Sequence, residues 1–147
     1  FTLPYQQRKS VDKENLLEEP EGPVSWQDKS VLIIEDDPSS LQLMKEILEP
    51  TGVILFLSER GEEGLKTFRE NPDIELILVD IKLPDINGLD VARKIRSFTS
   101  GQKVAIIAQT AYAMYGDAQK SLEAGCDDYI SKPVDTRKLL AKISKYL

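Results

Sequence analysis

Four points in the chain carry side chains able to share one piece of chemistry. Asp80 closes the apolar run Ile74-Glu75-Leu76-Ile77-Leu78-Val79, and Glu35-Asp36-Asp37 closes Val31-Leu32-Ile33-Ile34. Thr110 stands just past Val104–Ala108, and Lys132 stands just past Tyr129-Ile130. Brought together, Glu35, Asp36 and Asp80 would repel one another and push a carboxyl pKa upward. A hard divalent cation removes that cost. A few carboxylates completed by water is the ligand pattern of Mg²⁺, which often binds beside phosphate. Lys132 adds an ammonium and Thr110 a hydroxyl donor. Metal, ammonium and hydroxyl around one carboxylate suit a tetrahedral phosphoryl group, with charge stabilised on its equatorial oxygens. Asp80 is then the nucleophile, and the product is an acyl phosphate.

Taken singly, each residue has a plainer role. Acids after a strand cap helices, a lone Asp fills a turn, and Lys-Pro forms a loop. Their joint placement at strand ends is what favours shared chemistry, provided that the fold makes those ends converge.

The surrounding pattern predicts such a fold. Val31–Ile34 reads as a buried strand, and Pro38 suits the first turn of a helix over 39–49. Leu43, Met44, Ile47 and Leu48 form its inward stripe, with Leu41 either widening that stripe or exposed. Gly52 closes the unit. Val53–Leu57 is a second strand and Gly61–Arg69 a second helix, stopped by Asn71-Pro72. The run ending at Asp80 is the third strand, of the kind buried on both faces of a parallel sheet. A helix over 89–98, a strand Val104–Ala108, a helix Met114–Ala124, a short strand Tyr129-Ile130 and a helix over 135–146 complete the pattern. Strict strand–helix alternation with short links predicts an α/β, flavodoxin-like (βα)5 fold, with helices on both faces of a parallel sheet in order 2-1-3-4-5. In that order strands 1, 3 and 4 are neighbours and 5 lies beside 4. Glu35, Asp36, Asp80, Thr110 and Lys132 then meet at one sheet edge, where open α/β sheets gather their ligands.

Bulk properties narrow the classes. The 147 residues suffice for one domain. A net charge of −6 with no basic tract argues against nucleic-acid binding. The absence of histidine removes His-based catalysis, most zinc sites and any phosphohistidine of this segment's own. One cysteine, Cys126, allows no internal disulfide and suits a reducing compartment. No apolar run reaches the ~20 residues that span a bilayer. Residues 1–27 read as a linker, rich in charge and proline through Glu18-Glu19-Pro20-Glu21-Gly22-Pro23. The chain starts at Phe1 rather than Met, which suggests a segment of a longer protein.

From about Lys29 to Leu147 the chain resembles the receiver domain of two-component response regulators. The matching pieces are Glu35-Asp36-Asp37, Asp80-Ile81-Lys82-Leu83-Pro84 with Gly88, Thr110-Ala111, and Tyr129 with Lys132-Pro133. The resemblance implies a domain over 28–147 whose Asp80 accepts a phosphoryl group from a partner's phosphohistidine. It implies Mg²⁺ held by Asp36, Asp80 and the Lys82 backbone carbonyl, with Glu35 acting through water. Thr110 and Lys132 would hold the phosphoryl oxygens. Tyr129 resembles the family's switch aromatic, moving with Thr110. Ala111 leaves room beside the phosphoryl group, and Pro133 permits the cis peptide that the family uses. Lys82 and Tyr112 would flank the path of hydrolytic water. Many relatives carry Asp where Glu35 stands.

Phe1-Thr2-Leu3-Pro4-Tyr5 resembles the closing strand of a histidine kinase ATP-binding domain. With the acidic linker it suggests the C-terminal receiver of a hybrid sensor histidine kinase. That parent would be anchored in the inner membrane with this domain in the cytoplasm. The phosphoryl group would come from a histidine of the same parent and leave to a histidine phosphotransfer protein or domain. Helix one, beside Asp37 and Pro38, is the expected dock. A stand-alone single-domain response regulator is the alternative. An aspartyl phosphohydrolase of the haloacid-dehalogenase kind needs a second acid two residues after the nucleophile, where Lys82 stands. A flavodoxin-like cofactor binder needs a phosphate-cradling loop after strand one, where the acids stand. A degenerate receiver that only binds is disfavoured by the intact residue set.

Overall fold

The structure, a computed structural model, describes residues 24–111 and 116–147. Five parallel strands form one sheet in the order β2-β1-β3-β4-β5. They are β1 (Ser30–Ile34), β2 (Ile54–Ser58), β3 (Leu76–Asp80), β4 (Ala105–Thr110) and β5 (Asp128–Ser131). Helices α1 (Pro38–Leu48), α2 (Gly61–Glu70), α3 (Gly88–Ser97), α4 (Asp117–Glu123) and α5 (Thr136–Ser144) follow them in turn. The expected fold class and strand order are both present.

Strand alternation divides the core in two. Val31, Ile33, Leu76, Leu78, Ala105, Ile107 and Ile130 pack with Met44 and Leu48 of α1 and Leu139 and Ile143 of α5. Leu32, Ile34, Ile77, Val79, Ile106 and Ala108 pack on the other face, with Leu65 and Phe68 of α2 and Leu89, Val91, Ala92 and Ile95 of α3. β1, β3 and β4 are therefore apolar on both faces, which is why they read as continuous runs. Each buried Leu or Ile contributes roughly 1.5–3 kcal/mol through area removed from water.

Several local expectations need correction. Leu43 is not part of the inward stripe of α1: it is 37% exposed. The buried pair is Met44 and Leu48, with Leu41 and Ile47 packed beside them. The 100° advance per residue sets Leu41, Met44 and Leu48 on one face and turns Leu43 away. Val24 and Trp26 pack against the α1/α5 cluster, and the Trp26 N–H bonds the Thr51 carbonyl at 2.7 Å. The packed body thus includes part of the stretch expected to be linker. Helix α4 runs over Asp117–Glu123 with Gly116 at its N-cap; Met114, where the expected helix starts, lies outside the described residues. Phe1–Tyr5 and Tyr112 also lie outside them.

Candidate functional site

The same alternation that builds the core aims the site. Glu35 continues the parity of Val31 and Ile33, and Asp80 that of Leu76 and Leu78. Both side chains therefore leave the sheet on the α1/α5 face, just beyond the last apolar layer. Ligand oxygens of Glu35, Asp36 and Asp80 lie within 4.8 Å of one another. Glu35 is fully buried, Asp80 is buried and Asp36 is exposed. This set of carboxylates, closed on one side and open to water on the other, fits a hard divalent cation that keeps part of its hydration shell.

Lys132 bridges two of the acids. Its Nζ donates to Glu35 Oε2 at 2.9 Å and to Asp80 Oδ2 at 2.7 Å. The other oxygens are also engaged. Glu35 Oε1 accepts the Asp37 N–H at 3.0 Å, and Asp80 Oδ1 accepts the Lys82 N–H at 3.1 Å. Burial pushes the Glu35 carboxyl from 4.5 up to about 7, although the bonds from Asp37 and Lys132 oppose the rise. The neighbouring Asp80 carboxylate adds to it. Burial works against the Lys132 charge, but its bonds to Asp80 and Glu35 outweigh that and raise its pKa. Three carboxylates facing one ammonium leave a surplus of negative charge.

The backbone around Asp80 is built for this. Gly88 donates to the Ile81 carbonyl at 2.7 Å, and a β-carbon on Gly88 would collide with the Asp80 carbonyl. Glycine is needed there because the loop folds back onto the strand end. Asp37 is not aimed at the cluster: its carboxylate caps α1 by accepting the Ser40 N–H at 2.8 Å, which lowers its pKa. The Lys132–Pro133 peptide is cis, as the resemblance implied. Ala111 is exposed beside Thr110.

Thr110 has a partner that its position in the sequence did not announce. Its hydroxyl donates to Asp117 Oδ2 at 2.7 Å, at the start of α4. Tyr129 is half-buried against the α2/α3 core, with the Lys142 ammonium 5.2 Å from its ring centre. Asp85 is a further residue that sequence reasoning missed. Its two carboxylate oxygens accept the Gly61 and Glu62 N–H groups at 2.9 Å, capping α2 from the loop after β3. Arg60, at the N-cap position, supplies no side-chain bond, so the cap comes from 24 residues away. Nothing local in the sequence marks such a pairing.

A family model, the response regulator receiver domain, matches residues 31–144. The chain belongs to the response regulator receiver family. It is 37% identical over 120 residues to the polar-differentiation response regulator DivK of Brucella anthropi, a match covering 81% of this chain and 96% of that protein. Among solved structures, it is similar to the receiver domain of sensor histidine kinase PA1611 from Pseudomonas aeruginosa. That match has a TM-score of 0.75 at 30% identity and covers 80% of this chain and 96% of that one. The PA1611 receiver has a magnesium ion coordinated in its active site cleft. It is also similar to the receiver domain of Ssk1 from Saccharomyces cerevisiae, solved with the histidine phosphotransfer protein Ypd1. Here the TM-score is 0.75 at 30% identity, covering 80% of this chain and 88% of that one. This receiver is thus a two-component signalling domain. No helix among its described residues is long and apolar enough to cross a membrane.

Proposed function

We propose that this receiver is a phosphorelay domain in which Asp80 takes a phosphoryl group from a phosphohistidine and passes it to a histidine phosphotransfer protein or domain. The observation that carries this reading is the Lys132 ammonium held between Glu35 and Asp80, within an acidic cluster that suits a divalent cation. Asp36 and Asp80 would hold Mg²⁺ with the Lys82 carbonyl, and Glu35 would act through water. When bound, the ion offsets charge on the carboxylates and the phosphoryl oxygens, which lets the two approach. An Asp80 carboxylate oxygen bonds to phosphorus as the phosphorus–nitrogen bond of the donor breaks, and the electron pair returns to the donor imidazole. Lys132 and Thr110 hold the phosphoryl oxygens, and Ala111 leaves them space. For Thr110 to do so its hydroxyl leaves Asp117, which couples the site to α4 and, through the adjacent β5, to Tyr129.

Partner docking has support beside the cluster. Exposed Leu43 shares a shallow depression with Ser39, Ser40, Lys132, Pro133 and Val134. An apolar partner helix laid there would bring its histidine toward Asp80. Leu43, not Leu41, is the α1 contact in this reading.

For the parent, we infer the C-terminal receiver of a hybrid histidine kinase, with this domain in the cytoplasm. Its likeness to the PA1611 kinase receiver supports that, as does the Phe1–Tyr5 resemblance. The DivK match, which spans nearly all of that regulator, favours a stand-alone regulator instead. Upstream coding sequence decides: an ATP-binding domain and a phosphorylatable histidine are expected, and a parent that starts near residue 1 refutes the hybrid reading.

The chemistry is tested by incubating the chain with Mg²⁺ and acetyl phosphate and measuring intact mass. One phosphoryl adduct is expected, dependent on Mg²⁺ and lost in Asp80→Asn. Labelling that persists without metal overturns the mechanism.

A further inference from the structure

Among the described residues, Gln109 is a buried polar residue that the phosphorelay mechanism leaves unused. Its side chain is fully buried, and neither its amide nitrogen nor its carbonyl oxygen has a hydrogen-bond partner. A buried amide left unpaired loses its water hydrogen bonds with nothing in exchange. Such groups are uncommon enough in folded proteins that each calls for a physical reason.

Its position supplies one. Gln109 pairs in register with Asp80 on one side and with Ile130 on the other. It continues the parity of Ala105 and Ile107, whose side chains pack on the α1/α5 face. Gln109 therefore stands on the same face as Asp80 and Glu35, and parallel neighbours in register lie about 5 Å apart. Lys132 starts beyond β5, with its N–H on the Thr110 carbonyl at 2.8 Å. Its ammonium nevertheless reaches Asp80 on β3 and Glu35 beyond β1. In the order β1-β3-β4-β5 that reach crosses the carboxyl end of β4. The lysine stem thus spans the strand end that carries Gln109, and the ammonium passes over the amide if it is drawn back from the acids.

We propose that Gln109 is a positioning residue: its side-chain carbonyl receives the Lys132 ammonium when a divalent cation takes over Glu35 and Asp80. This rests on the phosphorelay reading for the presence of that cation. In the metal-free chain Lys132 is fully engaged with the two carboxylates, and the amide waits. Cation binding displaces the ammonium, which is part-buried and would lose both of its carboxylate acceptors. The Gln109 oxygen offers another, keeping Lys132 at the rim of the cleft where a phosphoryl oxygen arrives. Metal binding is thereby made easier, because the displaced charge has somewhere to go.

The test measures Mg²⁺ affinity by calorimetry, with metal-free stability in denaturant alongside. Hydrogen bonds to charged groups are worth about 1.5–3 kcal/mol, so Gln109→Leu should weaken Mg²⁺ binding at least about tenfold. Metal-free stability should stay level or rise, since an unpaired amide has been removed. Gln109→Met, of similar length, should behave alike. In a Lys132→Met background the Gln109→Leu effect on Mg²⁺ affinity should disappear. Three results overturn the proposal: unchanged affinity in both Gln109 variants, lost stability with unchanged affinity, or an effect that survives in the Lys132→Met background. Failure of the unsubstituted chain to bind Mg²⁺ would overturn the phosphorelay reading and this inference together. Normal binding with unresponsive Gln109 variants overturns the inference alone.

Discussion

The two ends of the sheet treat charge in opposite ways. At the amino ends of β4 and β5, Arg96 from the last turn of α3 is held through four of its five N–H donors. It donates to the carbonyls of Gly125 at 2.8 Å, Gly101 at 2.9 Å and Val104 at 2.6 Å, and to Asp127 Oδ2 at 2.8 Å. Asp127 Oδ2 also accepts the Ile106 N–H at 2.9 Å. One cation faces one carboxylate, and three further donors meet neutral acceptors. At the carboxyl ends, three carboxylates face one ammonium, and an unpaired amide lies beneath. A closed polar network fastens elements together and has one arrangement. An open one keeps charge in excess, so an added cation or anion has something to bind and the side chains have somewhere to move. The same sheet therefore carries a clamp at one end and a receptive site at the other.

That contrast can be broken at either end. The largest expected effect is at the open end: Asp80→Asn should abolish the Mg²⁺-dependent phosphoryl adduct seen by intact mass, while the chain remains folded by circular dichroism. At the closed end, Arg96→Met should lower unfolding free energy by about 2–4 kcal/mol, because three carbonyls and a carboxylate lose a shared donor. Mg²⁺ affinity of the folded variant should not change. If Arg96→Met weakens metal binding as much as stability, the two ends are not independent.

Next is pH. Burial raises the Glu35 pKa from 4.5 to about 7, so between those values the metal-free native chain holds a proton that the unfolded chain releases. Stability from this group is complete below about pH 4.5 and falls as pH rises through about 7, by on the order of 1–3 kcal/mol. Denaturant midpoints measured in chelator across that window should fall with pH, and Glu35→Gln should flatten the profile. A profile that rises with pH in the native chain but not in the variant would reverse the assignment.

The smallest effect concerns Thr110. Removing its Asp117 acceptor in Asp117→Ala should release the hydroxyl from that bond and tighten binding of a beryllofluoride phosphoryl mimic roughly three- to tenfold, the worth of about one hydrogen bond. Weaker binding would show that Asp117 supports the site rather than restrains Thr110.

Much of this molecule is legible in one dimension. Apolar runs that end in acids, spaced by helical periods, determine a parallel α/β sheet. Crossover handedness then leaves few strand orders, so the meeting of Glu35, Asp36, Asp80 and Lys132 follows from the alternation of hydrophobic and polar residues alone. Those features depend on local periodicity and on which strand end carries which side chain. What only the tertiary structure decided are pairings that no local period announces. Asp85 caps a helix that starts 24 residues earlier, and Thr110 bonds to Asp117 across the start of α4. Leu43 turns outward while Leu41 packs inward, since a helix with five nearby hydrophobes does not declare its exact phase until the sheet it rests on is present. Gln109 reads as an ordinary polar residue at a strand end. Only the assembled sheet, with a lysine reaching across it from β5, makes its buried amide a physical question.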